Sequence, residues 1–255
     1  MKRERAYVEG RRNQIIELLT QTPQLRVDDL AKALEVSVIT VRRDLQYLEE
    51  QKYLTRFYGG ARINQNMKKD EVTIYRELIA KYAATLVENG DSIFINTSTN
   101  ALQTLGFIKR KNVTVITNNG KAIYSNHEDG INIILIGGEL RYPKEAMVGD
   151  VAIRNLQLIN AKKAFIGCAG ISAARGMTTE IANEVSINEL MIDHAMQDVY
   201  ILADHTKIGK NSSFTTCGID KVKHLITDEK APKEELERMR ALGIQIYQVS
   251  REDHY

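Results

Sequence analysis

The sequence predicts an α/β protein in two parts, a small helical head that ends in a β-hairpin and a larger domain built on a parallel sheet. Residues 1–63 contain three short helical patterns followed at once by a Gly-Gly turn. From Val72 onward, short runs rich in Ile and Val alternate with helical patterns, which is typical of buried parallel strands covered by helices. The chain has 255 residues, which is long enough for both parts.

The head begins with two predicted helices, each with one apolar face. The first covers Arg12–Gln21. The second follows Arg26 and has Asp28 and Asp29 in its first turn, where the helix dipole favours negative charge. Because the apolar residues of each helix are three or four positions apart, they point to the same side. They are Ile15, Ile16 and Leu19 in the first helix, and Val27, Leu30, Ala31 and Leu34 in the second.

The third predicted helix follows Ser37, whose hydroxyl is placed to cap the first turn. One side of this helix is apolar, and the other is polar and carries two adjacent arginines. A hairpin follows at once, and Gly59-Gly60 permits the positive φ angle of its turn. The apolar stripe consists of Val38, Val41, Leu45 and Leu48.

Three helices and a hairpin in this order predict a winged helix-turn-helix, a fold that binds duplex DNA. The third helix would enter the major groove, where side chains of its first turns reach base edges. Arg43 is the expected reader of guanine, and Arg42, on the flank, is the expected contact to a phosphate. In the alternative interpretation, both arginines form surface ion pairs with Asp44 and Glu49. The predicted DNA-contacting residues are Ser37, Ile39, Thr40, Arg42, Arg43, Gln46, Tyr47, Arg56 and Arg62.

The third helix and the hairpin resemble those of the DeoR family of bacterial transcriptional regulators. The family's recognition helix follows the pattern S-x-x-T-[IV]-R-R-D-L-x-x-L-E and its wing ends in G-G-A, and this chain matches both between Ser37 and Ala61. Three positions depart from the family. Arg26 replaces a capping hydroxyl residue, and Glu35 and Lys52 each replace a glycine. If Glu35 and Lys52 adopt left-handed backbone angles, each costs about 1 kcal/mol relative to glycine.

Composition limits the class of protein further. The chain carries 35 Lys and Arg against 33 Asp and Glu. Residues 1–65 hold 12 of the basic and 9 of the acidic residues, so the small positive surplus belongs to the head. Two cysteines without paired spacing indicate a reducing compartment. Nothing resembles a signal peptide or a membrane span, and we expect a cytoplasmic protein. The predicted domains are 1–63 and 73–255, joined by a polar linker at 64–72.

Seven apolar runs after residue 72 predict the strands of the second domain. Helical patterns lie between several of them, at Ile74–Val87, Val151–Ile159, Ile181–Met196 and Lys233–Ala241. Strands that alternate with helices form a parallel sheet covered on both faces, and such sheets bind ligands at the carboxyl ends of their strands. The predicted strands are Ser92–Asn96, Val113–Thr117, Asn132–Ile136, Ala164–Gly167, Val199–Ala203, His224–Thr227 and Gly243–Val249.

Polar or glycine-rich loops follow five of these predicted strands. Each loop taken alone is more often a helix cap or a turn. Five of them at one edge of a sheet favour a shared site for an anionic or polar ligand. The predicted effector-binding residues are Asn96, Thr97, Ser98, Thr99, Asn100, Asn118, Gly137, Gly138 and Lys207.

Motifs in the same loops resemble the C-terminal domain of DeoR regulators, which is similar to ribose-5-phosphate isomerase. They are VITNN at 115–119, GGELR at 137–141, FIGCAG at 165–170, GMTT at 176–179 and DHTK at 204–207. The resemblance implies a phosphorylated sugar as effector and a homodimer or homotetramer. The family's D-x-G-T-T loop is changed here to NTSTN at 96–100. We therefore expect an effector that differs from the commonest sugar phosphates.

These features favour a ligand-responsive transcription factor that binds a double-stranded DNA operator, and the resemblance implies a repressor. One alternative is an isomerase-like enzyme with an appended DNA-binding head, and another is a constitutive DNA binder whose second domain only forms oligomers. An enzyme would need a base. The histidine and cysteine spacings indicate no metal site, and we expect no cofactor and no catalytic residue. The candidate bases are Glu139, Glu180, Glu184, Asp204 and His205, but no pair has diagnostic spacing.

Overall fold

The computed structural model describes residues 2–51, 53–64 and 71–253. The chain divides into two compact units, residues 1–70 and 71–255. This division falls inside the predicted linker at 64–72. Lys52 and residues 65–70, which make up most of that linker, lie outside the described residues.

The N-terminal unit contains three helices and a three-stranded antiparallel sheet with strand order β1-β3-β2. The predicted helices and hairpin are confirmed. The first helix begins ten residues earlier than predicted, and its early residues are mostly charged and show no apolar periodicity. The elements are α1 (Lys2–Gln21), β1 (Gln24–Arg26), α2 (Val27–Ala33), α3 (Val38–Glu50), β2 (Leu54–Phe57) and β3 (Gly60–Ile63).

The core of this unit joins the apolar faces of all three helices. On α3, the predicted stripe is buried at Val41, Leu45 and Leu48, and Val38 packs against it. The Ser37 hydroxyl caps α3 by accepting a hydrogen bond from the Thr40 amide at 3.1 Å. The sequence therefore sets which side of α3 faces inward and where the helix begins.

Asp44 was expected on the flank of α3, but its side chain is buried. The Arg11 Nε donates to Asp44 Oδ2 at 2.6 Å, and the Arg12 Nε donates to Asp44 Oδ1 at 3.0 Å. A buried carboxylate is stable only when its charge is paired and its oxygens are hydrogen-bonded. Asp44 thus fixes α3 against α1, which explains an acidic residue directly after two arginines.

The turn between α2 and α3 contains a left-handed residue that is not glycine. Glu35 has φ of +52°, as the sequence comparison anticipated. The Arg26 side chain makes no capping hydrogen bond to α2, although its backbone has the extended geometry of an N-cap. The two positions therefore hold a non-glycine residue in the left-handed region and an arginine at the N-cap of α2, where each is less suited than a glycine and a hydroxyl residue, respectively.

Replacement of Glu35 by glycine should stabilise the head. Because glycine has no Cβ, Glu35→Gly relieves the left-handed strain, and we expect the free energy of unfolding to rise by about 1 kcal/mol. The matched control is Glu17→Gly, which places the same substitution inside α1 and should lower the free energy by about 1 kcal/mol. Urea unfolding of the full-length protein measures both. A loss of stability in both variants would contradict strain at Glu35.

The C-terminal unit is an α/β domain of five helices and twelve strands within the described residues. Its helices are α4 (Glu71–Thr85), α5 (Thr99–Leu105), α6 (Asp150–Gln157), α7 (Ala182–Asp193) and α8 (Lys233–Ala241). Its strands are β4 (Ser92–Ile95), β5 (Val113–Thr117), β6 (Ile131–Leu135), β7 (Glu139–Arg141), β8 (Ala146–Val148), β9 (Ala161–Gly167), β10 (Gly170–Ser172), β11 (Gly176–Thr179), β12 (Ala195–Leu202), β13 (Phe214–Cys217), β14 (His224–Asp228) and β15 (Gln245–Val249).

Seven of these strands form one parallel sheet with the order β15-β14-β12-β9-β4-β5-β6. All seven predicted strands belong to it, so the predicted fold class is confirmed. The two strands that follow β4 in the sheet, β5 and β6, lie on one side of it. The strands that follow β9 in the chain and belong to this sheet, β12, β14 and β15, lie on the opposite side. The strand order therefore reverses between β4 and β9. In open sheets of this kind, the crevice at such a reversal is where ligands bind.

The two faces of the sheet carry separate apolar layers. On β4, Ile93 and Ile95 pack with α4 and α5, whereas Phe94 packs on the opposite face with α6, α7 and α8. This alternation follows from the two-residue period of a strand. Burial on both faces explains why the strands are continuously apolar in the sequence.

Two small antiparallel groups of strands were not predicted. The hairpin β7–β8 lies between β6 and α6, and β10, β11 and β13 form a second sheet. These strands have three or four residues each, too few to show an alternating pattern. Along the chain, each group follows a strand of the large sheet, so its residues come after the carboxyl ends of those strands.

Candidate nucleic-acid interface and effector site

The exposed face of α3 presents two unpaired cations. Arg42 and Arg43 are exposed, and neither has a hydrogen bond or an ion pair to any residue that the structure describes. Beside them, the Ile39 side chain is 71% exposed. An apolar side chain next to free guanidinium groups on one helical face suits the thymine methyls, guanine edges and phosphates of a major groove.

The acidic neighbours of these arginines are occupied by other cations. Asp44 binds Arg11 and Arg12, and the Glu49 Oε2 accepts from Arg56 Nε at 2.7 Å. Glu49 Oε1 also accepts from the Arg56 amide at 2.8 Å, and these two hydrogen bonds lower the pKa of Glu49. The surface ion pairs considered as the alternative for Arg42 and Arg43 are therefore not those found in the described head.

Several predicted contacts already have a role inside the head. The Thr40 hydroxyl is 2.8 Å from the Ser37 hydroxyl, and the Gln46 amide donates to Glu50 at 3.2 Å. The Arg12 guanidinium lies 3.6 Å from the centre of the Tyr47 ring. One face of Tyr47 is thus covered, although 42% of the residue is exposed.

The tip of the wing carries a residue that the sequence reasoning overlooked. Tyr58 lies between β2 and β3 and is completely exposed, next to Gly59 with φ of +84°. Arg62, on β3, is also exposed. Gly60 approaches Phe57 and the Leu25 carbonyl so closely that a Cβ would clash with both. An aromatic residue directly before the Gly-Gly turn was the available signal for Tyr58.

In the C-terminal unit, Asn96 occupies the crevice where the strand order reverses. Its Nδ2 donates to the Gly167 carbonyl at 2.8 Å and to Asn188 Oδ1 at 3.0 Å. Its Oδ1 accepts from the Gly167 amide at 3.0 Å and from the Ser98 amide at 3.2 Å. Asn96 therefore joins β4, β9 and α7, and these bonds employ the oxygen and the amide nitrogen of its side chain.

A buried carboxylate lies next to this crevice. Glu184, in the first turn of α7, is 4% exposed and accepts hydrogen bonds from the hydroxyls of Thr97 at 3.2 Å and Thr179 at 3.3 Å. The Lys144 Nζ lies 3.1 Å from Glu184 Oε1 and 3.2 Å from Oε2. Lys144 comes from the loop of the β7–β8 hairpin. The structure thus brings the predicted Thr97 together with three residues that were not predicted to bind the effector.

Asn118 follows β5 and is held against the same hairpin. Its Nδ2 donates to the Met147 carbonyl at 3.3 Å, and its own carbonyl accepts from the Met147 amide at 2.7 Å. Its buried Oδ1 has no hydrogen-bond partner among the described residues. A buried amide oxygen without a partner is costly, and a ligand hydroxyl is a suitable donor for it.

The remaining predicted effector residues have diverse positions. Ser98 caps α5 by accepting from the Ala101 amide at 3.0 Å, and Thr99 is exposed whereas Asn100 is buried. Gly137 and Gly138 both have positive φ, and a Cβ on Gly138 would clash with the Val148 carbonyl. Close packing at the start of α6 thus gives an independent structural reason for Gly138, whereas Gly137 is explained by its positive φ alone.

Lys207 lies in the loop after β12, where its carbonyl accepts from the Ile171 amide at 3.0 Å. In the same loop, Asp204 is buried and binds Arg76 Nε at 2.8 Å and the Thr206 hydroxyl. Burial raises the pKa of Asp204, but the hydrogen bonds from Thr206 and Arg76 outweigh it and lower the pKa overall.

His205 and Cys168 lie in or near the loop after β12, and each has a neighbour that changes its chemistry. His205 Nδ1 is 2.9 Å from Asp228 Oδ1, and burial raises the pKa of Asp228 although His205 opposes the shift. Burial, with a contribution from the Asp204 charge, raises the pKa of the Cys168 thiol to about 12, so it is protonated at neutral pH. In the described residues no cluster of three or more His, Cys, Asp or Glu has metal-binding geometry. No helix of the described chain is long and apolar enough to cross a membrane.

Comparison with known families assigns both units. Residues 11–67 match the DeoR-like helix-turn-helix domain, and residues 73–229 match the DeoR C terminal sensor domain. A DNA-binding head followed by a sensor domain defines a transcriptional regulator. The chain belongs to the DeoR family.

Similar proteins are named as repressors. The "Lactose phosphotransferase system repressor" of Staphylococcus aureus (strain NCTC 8325 / PS 47) is 29% identical over 230 residues, covering 86% of this chain and 91% of the relative. The "Putative aga operon transcriptional repressor" of Escherichia coli O157:H7 is 27% identical over 251 residues, covering 94% and 93%. Among solved structures, ribose 5-phosphate isomerase A of Methanocaldococcus jannaschii aligns over 52% of each chain with 15% identity and a TM-score of 0.38.

Conversion of Asn96 to aspartate, the residue usual in the family, should destabilise the sensor domain. A carboxylate cannot donate to the Gly167 carbonyl or to Asn188, so we expect Asn96→Asp to cost about 3 kcal/mol at neutral pH. Burial among acceptors raises the pKa of a carboxyl group above its unfolded value of about 4. The protonated form is therefore favoured by folding, and the loss should shrink as the pH falls toward 4.

Thermal unfolding between pH 4 and pH 8 measures this effect. The matched control is Asn89→Asp, because the exposed Asn89 uses only its oxygen, which accepts from the Lys111 amide at 2.8 Å. This control should change stability little at any pH. An Asn96→Asp variant as stable as the wild type at pH 8 would refute the donor role of Asn96.

Proposed function

We propose that this protein represses genes for sugar uptake or catabolism by binding an operator through residues 37–62. A phosphorylated sugar or a related metabolite binds at the carboxyl ends of the sensor strands and releases the operator. A homodimer or homotetramer places two recognition helices on half-sites about one helical turn apart. The protein acts in the cytoplasm, on double-stranded DNA, and without a catalytic step.

The observation that carries the DNA-binding proposal is the pair of unpaired guanidinium groups on α3. Arg42 and Arg43 are exposed, while the neighbouring acids Asp44 and Glu49 are neutralised by arginines from α1 and the wing. Neither acid therefore competes with DNA for these two cations. The remaining predicted contacts, from Ser37 to Arg62, surround this pair on α3 and the wing.

The effector proposal is supported by buried polar groups near the reversal of strand order. Glu184 and Thr97 offer oxygens to a polyhydroxylated ligand, and the unsatisfied Asn118 Oδ1 offers another acceptor. The relatives named above are a lactose phosphotransferase system repressor and a putative aga operon transcriptional repressor. A metabolite changes operator affinity only if it binds the two states of the protein differently.

Substitution of the two arginines should separate base reading from phosphate binding. Arg43→Ala should cost about 1–3 kcal/mol in operator binding and relax base choice at one position, because a bidentate guanine contact is lost. Arg42→Ala should weaken all sequences alike and reduce the slope of log K against log salt by about one. Binding to a library of operator variants at several salt concentrations measures both effects.

Glu17→Ala is the control for this pair, because Glu17 is exposed on α1 and is not among the predicted DNA contacts. It should leave base choice unchanged. Equal relaxation of base choice by Arg42→Ala and Arg43→Ala would contradict the division of roles between them.

A phosphorylated sugar should release the protein from its operator. Gel shifts with the intergenic DNA beside the gene, with and without hexose and pentose phosphates, measure this release. Thr99→Ala, which alters an exposed hydroxyl of the effector loop, should preserve operator binding but blunt the response. Turnover of a sugar phosphate by the protein would favour the enzyme alternative, and operator affinity unaffected by all compounds would favour a constitutive binder.

A further inference from the structure

The hairpin β7–β8 places a cation over the carboxyl ends of the sheet. Its loop, residues 142–145, contains Lys144, whose side chain is 46% exposed. The base of the hairpin is fixed to the loop after β5, because the Gly120 amide donates to the Glu145 carbonyl at 2.8 Å and Met147 binds Asn118. Lys144 is therefore held in place by backbone contacts that do not involve its own charge.

The counter-ion of Lys144 is the carboxylate of Glu184, which is buried whereas Lys144 is partly exposed. Glu184 is almost completely buried, and Lys144 is the cation that contacts it in the described part of the chain. Two buried hydroxyls, those of Thr97 and Thr179, also donate to Glu184. Glu184 thus keeps two hydrogen bonds if Lys144 moves away, and a ligand hydroxyl is able to replace the ammonium as a third donor.

We propose that Lys144 binds the anionic group of the effector, and that Glu184 holds Lys144 in its place until the effector arrives. The ligand that fits this exchange carries an anion for Lys144 and hydroxyls for Glu184, which is the chemistry of a phosphorylated sugar. The inference rests on the proposed effector response and adds the residue pair that selects the phosphorylated compound over the free sugar. No covalent step is involved.

This exchange has a consequence that an ordinary structural ion pair lacks. Because Glu184 competes with the ligand anion for Lys144, removal of the two charges should have opposite effects on anion binding. Lys144→Gln should weaken binding of inorganic phosphate at least about tenfold, since a charge-assisted hydrogen bond is lost. Glu184→Gln should tighten it by roughly three- to tenfold, since the competing charge is removed while an amide keeps contact with the threonines.

The test uses the full-length protein, with inorganic phosphate as the first probe and isothermal titration calorimetry as the measurement. Lys233→Gln, at an exposed lysine of α8 remote in sequence from the hairpin, is the matched control and should bind phosphate like the wild type. The Lys144→Gln variant leaves Glu184 buried without a cation, which is destabilising. The double variant Lys144→Gln/Glu184→Gln is neutral at both positions and should bind phosphate as weakly as Lys144→Gln.

The second probe is a set of hexose and pentose phosphates with their unphosphorylated sugars. Lys144→Gln should lose affinity for the phosphorylated compounds and leave affinity for the free sugars unchanged. Parallel weakening by Lys144→Gln and Glu184→Gln, or phosphate binding that is absent or equal in all variants, would overturn the assignment of Lys144.

The operator experiment keeps this outcome separate from the proposed function. If sugar phosphates release the wild type from DNA but Lys144→Gln responds equally, the assignment of Lys144 is wrong and the effector proposal stands. If phosphate binding follows the expected pattern but no phosphorylated sugar releases DNA, the anion site is supported and the proposed effector is wrong.

Discussion

The carboxamide of Asn96 makes the hydrogen bonds on which the arrangement of the strand ends in the sensor domain depends. It binds both backbone groups of Gly167 and the side chain of Asn188, so it ties the two halves of the sheet together where the strand order reverses. Only an amide can donate to two oxygens and accept from two amides at once. The bridge sets the starting point of the loop that carries Thr97, and thereby the position of Thr97 beside Glu184. In this chain, asparagine at position 96 therefore has a structural role that an aspartate could not fill, before any ligand is considered.

The sequence predicted the large elements well for a simple physical reason. The five inner strands of the parallel sheet, β4, β5, β9, β12 and β14, are mostly buried, so each leaves an apolar run in the sequence, and the helices between strands carry an apolar face. Short pieces without such a signature escaped prediction. Strand β1 has three residues, and the β7–β8 hairpin has two strands of three residues each. Strand β1 pairs with β3, which is distant in sequence, and the β7–β8 hairpin is held by backbone hydrogen bonds to the loop after β5. Neither kind of contact leaves a periodic pattern in the sequence.

The candidate sites were predictable only in outline for a related reason. Strand ends identify Asn96, Thr97 and Asn118, because polar residues after a buried strand are visible in the sequence. The partners of these residues are not, since Lys144 and Glu184 are 40 positions apart and meet only in the folded domain. The same holds for Asp44, whose partners lie 33 and 32 positions away in α1. Charge pairs of this kind depend on tertiary contact, and they decide which charges of each site remain available to a ligand.

The two candidate sites therefore differ in which of their charged side chains are paired. This difference bears on how each binds an anion. On the head, Asp44 and Glu49 of α3 are paired with Arg11, Arg12 and Arg56, so neither acid competes with a phosphate for Arg42 and Arg43. Such exposed cations act at long range and depend strongly on salt. In the sensor domain, Lys144 is already paired with a buried carboxylate. Under the exchange proposed above, an anion displaces that carboxylate, and it gains most when its own hydroxyls satisfy the group that it displaces. The proposed head site would then accept any phosphate backbone and select by base edges, whereas the proposed effector site would select by requiring an anion and hydroxyls in one molecule.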